Sequence, residues 1–238
     1  MASIPLFIST PHPCNYLSGE QAQSAFVSPT FNITTAIYSQ LIAHGFRRSG
    51  DEVYRPQCSA CQQCVPVRIA AHDFKSNRKQ KRCWQANAET TAVIKPAVFE
   101  TAHYEMYMRY QKHRHADSSM ANSSVDDYIN FLSSSWCETR FIEFSIAGEL
   151  AGIAVVDFLG NALSAVYTFF DPKFSSFSLG VYAVLWQIEH AKSLDLDFVY
   201  LGFWIKHCQK MSYKTQYQPL QGLVNQHWQV LSTAKQLF

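Results

Sequence analysis

Three cysteines at two-residue intervals, Cys58, Cys61 and Cys64 in YRPQCSACQQCVPVRI, form the densest cluster of reactive side chains in the sequence. A closed tetrahedral zinc site needs four ligands. A ferredoxin-type run would put its fourth cysteine where Arg68 stands. A fourth ligand must therefore come from elsewhere. Cys14, in HPCNYL, is the better lender, because Cys83 falls inside a predicted basic helix, and His12 and His72 are further options. Reduced thiols can equally line a small pocket with Tyr54, Arg55 and Arg68, or pack as small hydrophobes. The spacing leaves both uses open: no cofactor, or zinc or an iron–sulfur cluster on Cys14, Cys58, Cys61 and Cys64.

Arg47, Arg48, Arg55 and Arg68 flank this loop on predicted short strands. A planar guanidinium grips a carboxylate or a phosphate through two parallel hydrogen bonds, a geometry lysine cannot reproduce. Between His44 and Arg82 nine Lys and Arg face three Asp and Glu, a net of +6 in a chain of net +2. Such asymmetry points to an anionic partner for the first third of the chain. Further on, Ser178-Leu179-Gly180 opens a predicted helix whose free N–H groups suit an anion. A coenzyme A loop of the form R/Q-x-x-G-x-G/A is absent there, since Phe177 and Tyr182 occupy its outer positions. KHCQKMSYK, residues 206–214, places Lys206, Lys210, Lys214, His207 and Tyr213 just after a predicted strand, where α/β proteins often build sites.

The elements that must position these groups can be read from periodicity. NITTAIYSQLIAHGF has the spacing of an amphipathic helix capped by Asn32 or Thr34 and stopped by Gly45. FRRSGDEVYRP reads as a hairpin turning at Ser49-Gly50-Asp51, and VRIA as a short strand. Ser76 is the expected cap of a basic helix running to about Ala88. VFETAHYEMYMRYQKHRH, residues 98–115, predicts a second helix, and Ser124 with Asp127 a capping box before a third. RFIEFSI, LAGIAVVDFL and ALSAVYTFF read as three strands with tight turns, SLGVYAVLWQIEHAKSL as a helix and FVYLGFWI as a final strand. The expected class is α+β. An acetyltransferase-like (GNAT-like) mixed sheet with flanking helices should occupy residues 96–238, with a smaller cysteine-containing α+β domain in 1–95.

With 47% hydrophobic and 14% aromatic residues, the 238-residue chain can bury a full core, which excludes wholesale disorder. No apolar run reaches the ~18 residues of a membrane span, and MASIPLFISTPHPC lacks the basic segment of a secretory signal. Seven cysteines, an odd number with three of them too close together for an ordinary disulfide framework, suit a reduced, cytoplasmic chain.

HPCNYL, GFRRSG, YRPQCSACQQCVPVRI, RYQKHRH, SAVYTFFDP, SLGVYAVL, YLGFWI and KMSYK, in that order, resemble the arginyl-tRNA–protein transferase family, and within it the bacterial leucyl branch. The likeness extends from about Pro11 to Trp228. It implies an aminoacyl-tRNA donor and transfer of leucine to the N-terminal Asp or Glu of a protein, a mark for N-degron degradation. The partners would be leucyl-tRNA and proteins with N-terminal Asp or Glu, with no coenzyme A and no membrane. Eukaryotic relatives carry cysteines implicated in iron–sulfur or zinc binding, and Cys14, Cys58, Cys61 and Cys64 occupy the matching stretches in a different arrangement. Arg47, Arg48, Tyr54 and Arg68 would hold the acidic N-terminus. Lys75, Arg78, Lys79, Lys81 and Arg82 would steer the tRNA. Asp157, Tyr167, Lys210 and Lys214 would stand nearest the chemistry, with Asp157 or a water taking the proton. Alternatives are arginyl transfer to the same N-termini, a coenzyme-A-dependent N-acyltransferase, and an RNA-binding adaptor. The aminoacyl ester is already activated, and the attacking α-amine has a reference pKa of about 7.7–8.0. Alignment could lower the barrier by about 7–11 kcal/mol, and oxyanion donors by about 3–4 kcal/mol more.

Overall fold

The computed structural model describes residues 4–114 and 122–231. His115, the last residue of the expected second helix, lies outside them. The chain begins with β1 (Leu6–Ile8), β2 (His12–Pro13), β3 (Gln21–Ala22) and β4 (Ser24–Val27). Helix α1 (Thr35–Ala43) follows, with the Thr34 hydroxyl accepting from the Ile37 N–H. Gly45, at φ +84°, supplies the left-handed residue that lets the chain leave this helix. The hairpin β5 (Arg47–Ser49) and β6 (Glu52–Pro56) comes next, then the cysteine loop and β7 (Val65–Ala70). The basic helix α2 (Arg78–Ala86) is capped by Asn77, not Ser76: Asn77 accepts from the Lys79 and Gln80 N–H groups while Gln80 accepts from the Asn77 N–H.

The second part holds β8 (Thr91–Pro96), α3 (Thr101–Arg114) and α4 (Val125–Leu132), the last opened by the Ser124–Asp127 capping box. A meander β9 (Thr139–Ile146), β10 (Glu149–Phe158) and β11 (Ala162–Phe170) leads through a 3₁₀ segment, Pro172–Phe177, into α5 (Leu179–Ser193). β12 (Phe198–Trp204) precedes a second 3₁₀ segment, Gln209–Gln216, and the hairpin β13 (Leu220–Val224) and β14 (His227–Val230).

These strands build a large mixed sheet in the order β14-β13-β7-β12-β11-β10-β9-β8 and a small antiparallel sheet in the order β1-β4-β6-β5, besides the short β2–β3 pair. β7 pairs with β12 on one side and β13 on the other, so the strand after the cysteine loop is an internal member of the large sheet. The expected domain boundary at residue 95 falls inside β8, the sheet's far edge.

Alternation along the strands divides the core. Ile142, Ala154, Val156, Leu163, Val199, Leu201, Val67 and Ile69 pack against Leu179, Leu185 and Ile188 of α5. Phe141, Ile153, Val155 and Phe169 point the other way, against Met106 and Tyr107 of α3 and Tyr128 and Leu132 of α4. α1 and the small sheet pack on that second face around Tyr200, through Tyr38, Ile42 and Val53. Register places one polar row across it: Thr139, Asp157, Ser164, Tyr200, Arg68 and Gln221 are successive neighbours on β9, β10, β11, β12, β7 and β13. The β5 arginines land on this row.

Candidate active site

β11 and β12 are parallel partners only from Ala162↔Phe198 to Ser164↔Tyr200. Beyond that point β11 stays with β10 and β12 with β7, so a wedge opens between them. Backbone groups on the parted edges need other partners. Arg47 supplies one on the β11 side: its Nη2 donates to the Ala165 carbonyl at 2.8 Å and its Nη1 to Ser164 Oγ at 3.1 Å. Lys214 supplies the other, donating from Nζ to the Phe203 carbonyl on β12. Each parted strand is thus capped by a cation.

The local sequence explains how both fit. In YLGFW the register between β12 and β7 slips between Tyr200 and Gly202, and Gly202 sits at φ +79°. A Cβ there would lie 3.3 Å from Arg47 Cζ, so glycine serves both the bend and the guanidinium. The 3₁₀ segment then folds back and buries Lys214 to 7% exposure. Burial first, and the Arg47 charge second, lower the Lys214 ammonium to about 7. An amine so placed exchanges protons near neutral pH. Tyr213 lies beneath it, with the ammonium 5.8 Å from its ring centroid.

Arg48 and Asp157 occupy another position than expected. They form a bidentate pair of 2.8 and 2.7 Å with both side chains fully buried. Arg48 also donates to the carbonyls of Gly50, Ser133 and Leu132 and to Thr139 Oγ1, which in turn donates to Asp157. Burial works against the Arg48 charge, but the adjoining Asp157 carboxylate outweighs it and holds the guanidinium above its ordinary range. Neither residue presents a group to a substrate: the pair bolts the β5–β6 hairpin to the large sheet. Arg68 is likewise engaged. Its guanidinium lies between Phe198 at 3.5 Å and Trp228 at 4.2 Å, and it donates to Gln221 Oε1 and Tyr200 Oη. Of the three arginines expected to hold an acidic side chain, Arg47 alone reaches the wedge.

Tyr54 does stand there, with its ring 6.2 Å from that of Phe203. Burial raises its phenol, and Arg47 partly offsets this. Tyr167 lies on the parted stretch of β11, but on the α3 side, accepting a hydrogen bond from Gln111 Nε2 at 2.9 Å. Tyr110 touches its ring edge-on at 6.5 Å, which keeps Tyr167 in the aromatic cluster against α3. Lys210 is exposed on the 3₁₀ segment.

Burial first, then Cys58, Cys14 and Cys61, push the Cys64 thiol up to about 12, so the four cysteines are neighbours. Burial first, then Tyr54, Cys64, Cys208 and Cys14, push the Tyr16 phenol up to about 12. Tetrahedral zinc, with Zn–S near ~2.3 Å, needs sulfurs roughly 3.8 Å apart. Among the described residues, however, only Glu100, His103 and Glu143 bring three ligand atoms within 4.8 Å of one another. As arranged, the four thiols do not fit a closed zinc site. At the Glu100–His103–Glu143 cluster, Lys95 Nζ already lies 3.3 and 2.8 Å from the two carboxylates.

Lys75, Arg78, Lys79, Lys81 and Arg82 are all exposed and in no ion pair among the described residues. α2 and the segment before it are tied to the Lys214 segment: Gln80 Nε2 donates to the Gln216 carbonyl at 3.1 Å, and Phe74 packs on Tyr217. The same helix covers the start of α5, where Asn87 donates to the Phe177 carbonyl and Trp84 meets Tyr182.

Two family models match the chain. Residues 12–82 match the N terminus of arginine-tRNA-protein transferase, and residues 102–224 match its C terminus. The "Aspartate/glutamate leucyltransferase" of Teredinibacter turnerae is 46% identical over 229 residues, 96% of this chain and 94% of that one. The protein of the same name from Saccharophagus degradans is 46% identical over 226 residues, 94% and 96% of the two chains. This chain belongs to the arginine-tRNA-protein transferase family. Within the solved structures, the C-terminal domain of a putative lysylphosphatidylglycerol synthetase from Agrobacterium fabrum matches 61% of this chain and 48% of its own at 8% identity, with a TM-score of 0.45. That likeness is too loose to bear on fold or function.

In this transferase the wedge takes Arg47 from the segment matching the family's N terminus and Lys214 from the segment matching its C terminus. Sequence reasoning missed Gly202, Ser164 and Tyr110. Only Gly202 left a signal, a glycine inside a strand pattern. Ser164 became visible through cross-strand register and Tyr110 through its ring contact with Tyr167.

Proposed function

We propose that the wedge between β11 and β12 is where leucine passes from leucyl-tRNA to the N-terminal Asp or Glu of an acceptor protein. The observation that carries this reading is the pair of cations capping the two parted strands, one a guanidinium suited to a carboxylate, the other an amine poised near neutrality. Arg47 takes the acidic side chain. The α-amine attacks the ester carbonyl carbon, a C–N bond forms and the bond to the ribose oxygen breaks. Neutral Lys214 accepts the proton the amine gives up, and the departing ribose oxygen takes one up. The ester is activated before it arrives, so this reading requires no metal and no coenzyme. The exposed cations Lys75, Arg78, Lys79, Lys81 and Arg82 hold the tRNA, and Gln80 joins their helix to the Lys214 segment. A three-strand meander followed by α5 and the parallel β12 supports an acetyltransferase-like order for this half. α2 packs beside the α5 N-terminus through Asn87 and Trp84, which supports a reading without a coenzyme there. Absence of a membrane-crossing helix among the described residues is consistent with action in the cytoplasm on tRNA.

The test offers labelled leucyl-, arginyl- and phenylalanyl-tRNA to peptides beginning with Asp, Glu, Lys, Arg or Ala. Leucine should appear on the Asp and Glu peptides alone. Equal transfer to Lys- or Arg-initiated peptides would remove Arg47 as the selecting group, and arginine as the only residue moved would overturn the donor. A rise in melting temperature with coenzyme A would support a thioester acyltransferase instead.

A further inference from the structure

The small sheet carries a feature that the transfer chemistry leaves unused. Phe7 on β1 is directly opposite Phe26 on β4, Phe26 is opposite Tyr54 on β6, and Tyr54 is opposite Arg47 on β5. Residues in one cross-strand row share a face, and the rings touch in turn. Phe7 stacks on Phe26 at 5.4 Å, Phe26 meets Tyr54 at 5.7 Å, and Tyr54 meets Phe203 at 6.2 Å. Exposure falls along the row, from 48% at Phe7, through half-buried Phe26 and Tyr54, to 9% at Phe203. An aromatic track thus descends from the molecular edge to the carbonyl that Lys214 caps.

Resting on the transferase reading above, we infer that Phe7, Phe26 and Tyr54 bind the acceptor polypeptide behind its acidic first residue. Continuity with Arg47 sets the direction: the acidic side chain lies at the guanidinium, and the following residues run outward over the rings. The length fits, because the three ring-to-ring steps correspond to about five residues of extended chain at ~3.4 Å each. The chemistry fits too. Aromatic faces give apolar contact without demanding one side chain, which suits an enzyme that selects its acceptor by the first residue. Charge argues against nucleic acid on this track. Single strands are followed by cationic grooves, and the four strands hold only three cations: Arg47 in the wedge, buried Arg48, and Arg55 stacked over Phe46 at 5.0 Å. The phosphate-ready cations are on α2.

The experiment compares wild type, Phe7→Ser and Phe7→Tyr with saturating leucyl-tRNA and two acceptors, an Asp-initiated dipeptide amide and an Asp-initiated hexapeptide. Wild type should use the hexapeptide with about tenfold higher kcat/KM. Phe7→Ser should lose that gain through KM while matching wild type on the dipeptide, and Phe7→Tyr should restore it. An unchanged hexapeptide KM in Phe7→Ser overturns the track. A rise in the KM for leucyl-tRNA with both acceptors also overturns it, by assigning the rings to RNA. No product from wild type with either acceptor overturns the transfer reading itself, and the track with it.

Discussion

At the residue scale, Asp157 and Lys214 divide structure from chemistry. Asp157 spends both carboxylate oxygens on Arg48 and Thr139 in a fully buried pair. Removing one partner of such a pair strands a charge and costs about 3–5 kcal/mol. Asp157→Ala should therefore lower the urea midpoint sharply while the folded fraction keeps the wild-type pH–rate profile. A displaced profile would return Asp157 to the proton-transfer role. Lys214 is the opposite case. Its folded pKa of about 7 lies below its ordinary 10.5, so between those values the unfolded chain binds more protons. Stability should rise with pH across that window, by up to about 1.4 kcal/mol per unit, and level off on either side. The groups that set this are the surrounding apolar packing, Arg47 and, in the other direction, Cys208. Lys214→Met should flatten the slope measured by urea melts at pH 7 to 10. It should also lower kcat about 10²–10⁴-fold and remove the limb near pH 7.

At the element scale, the site depends on where β12 leaves β11. Gly202 permits that divergence and leaves room for Arg47. Gly202→Ala should destabilise by about 1–3 kcal/mol and shift Arg47 off the Ala165 carbonyl. The result would be a raised KM for Asp peptides with little change in the KM for leucyl-tRNA, measured by steady-state transfer. Equal losses for both substrates would mean that the glycine serves the fold alone. The β5–β6 hairpin was legible from its turn residues and α2 from its cap and charge, though the cap moved from Ser76 to Asn77. What lay hidden was that two adjacent arginines of one three-residue strand have unlike fates. Arg48 is a buried bolt and Arg47 lines the wedge, because one meets Asp157 and the other the parted edge of β11.

At the scale of the whole molecule, the cations are sorted by burial. Arg48 and Arg68 are consumed by contacts inside the molecule and Arg47 lines the wedge, whereas the α2 cations and Lys75 face outward. Replacing Lys79, Lys81 and Arg82 together with Gln should weaken leucyl-tRNA binding. The log–log salt slope should fall by about 0.7–0.9 for each phosphate no longer neutralised, read by filter binding from 50 to 200 mM salt. An unchanged slope would mean that this helix faces solvent only.

By itself the sequence determined the succession of helices and strands, the basic helix, the missing coenzyme loop and the family, because these are properties of local spacing and of ordered motifs. It also singled out Arg47, Tyr54 and Lys214 as candidate groups. The tertiary structure decided which of four arginines could meet a substrate, that β7 from the first third is an internal strand of the large sheet, and that an aromatic row ends on Arg47. The first two outcomes depend on contacts between segments more than a hundred residues apart, Arg47 with β11, Arg48 with Asp157 and β7 with β12, and the third on cross-strand register within the small sheet. Burial and hydrogen-bond saturation, which spacing along a chain does not encode, then separate a guanidinium that holds the fold from one that can hold a ligand.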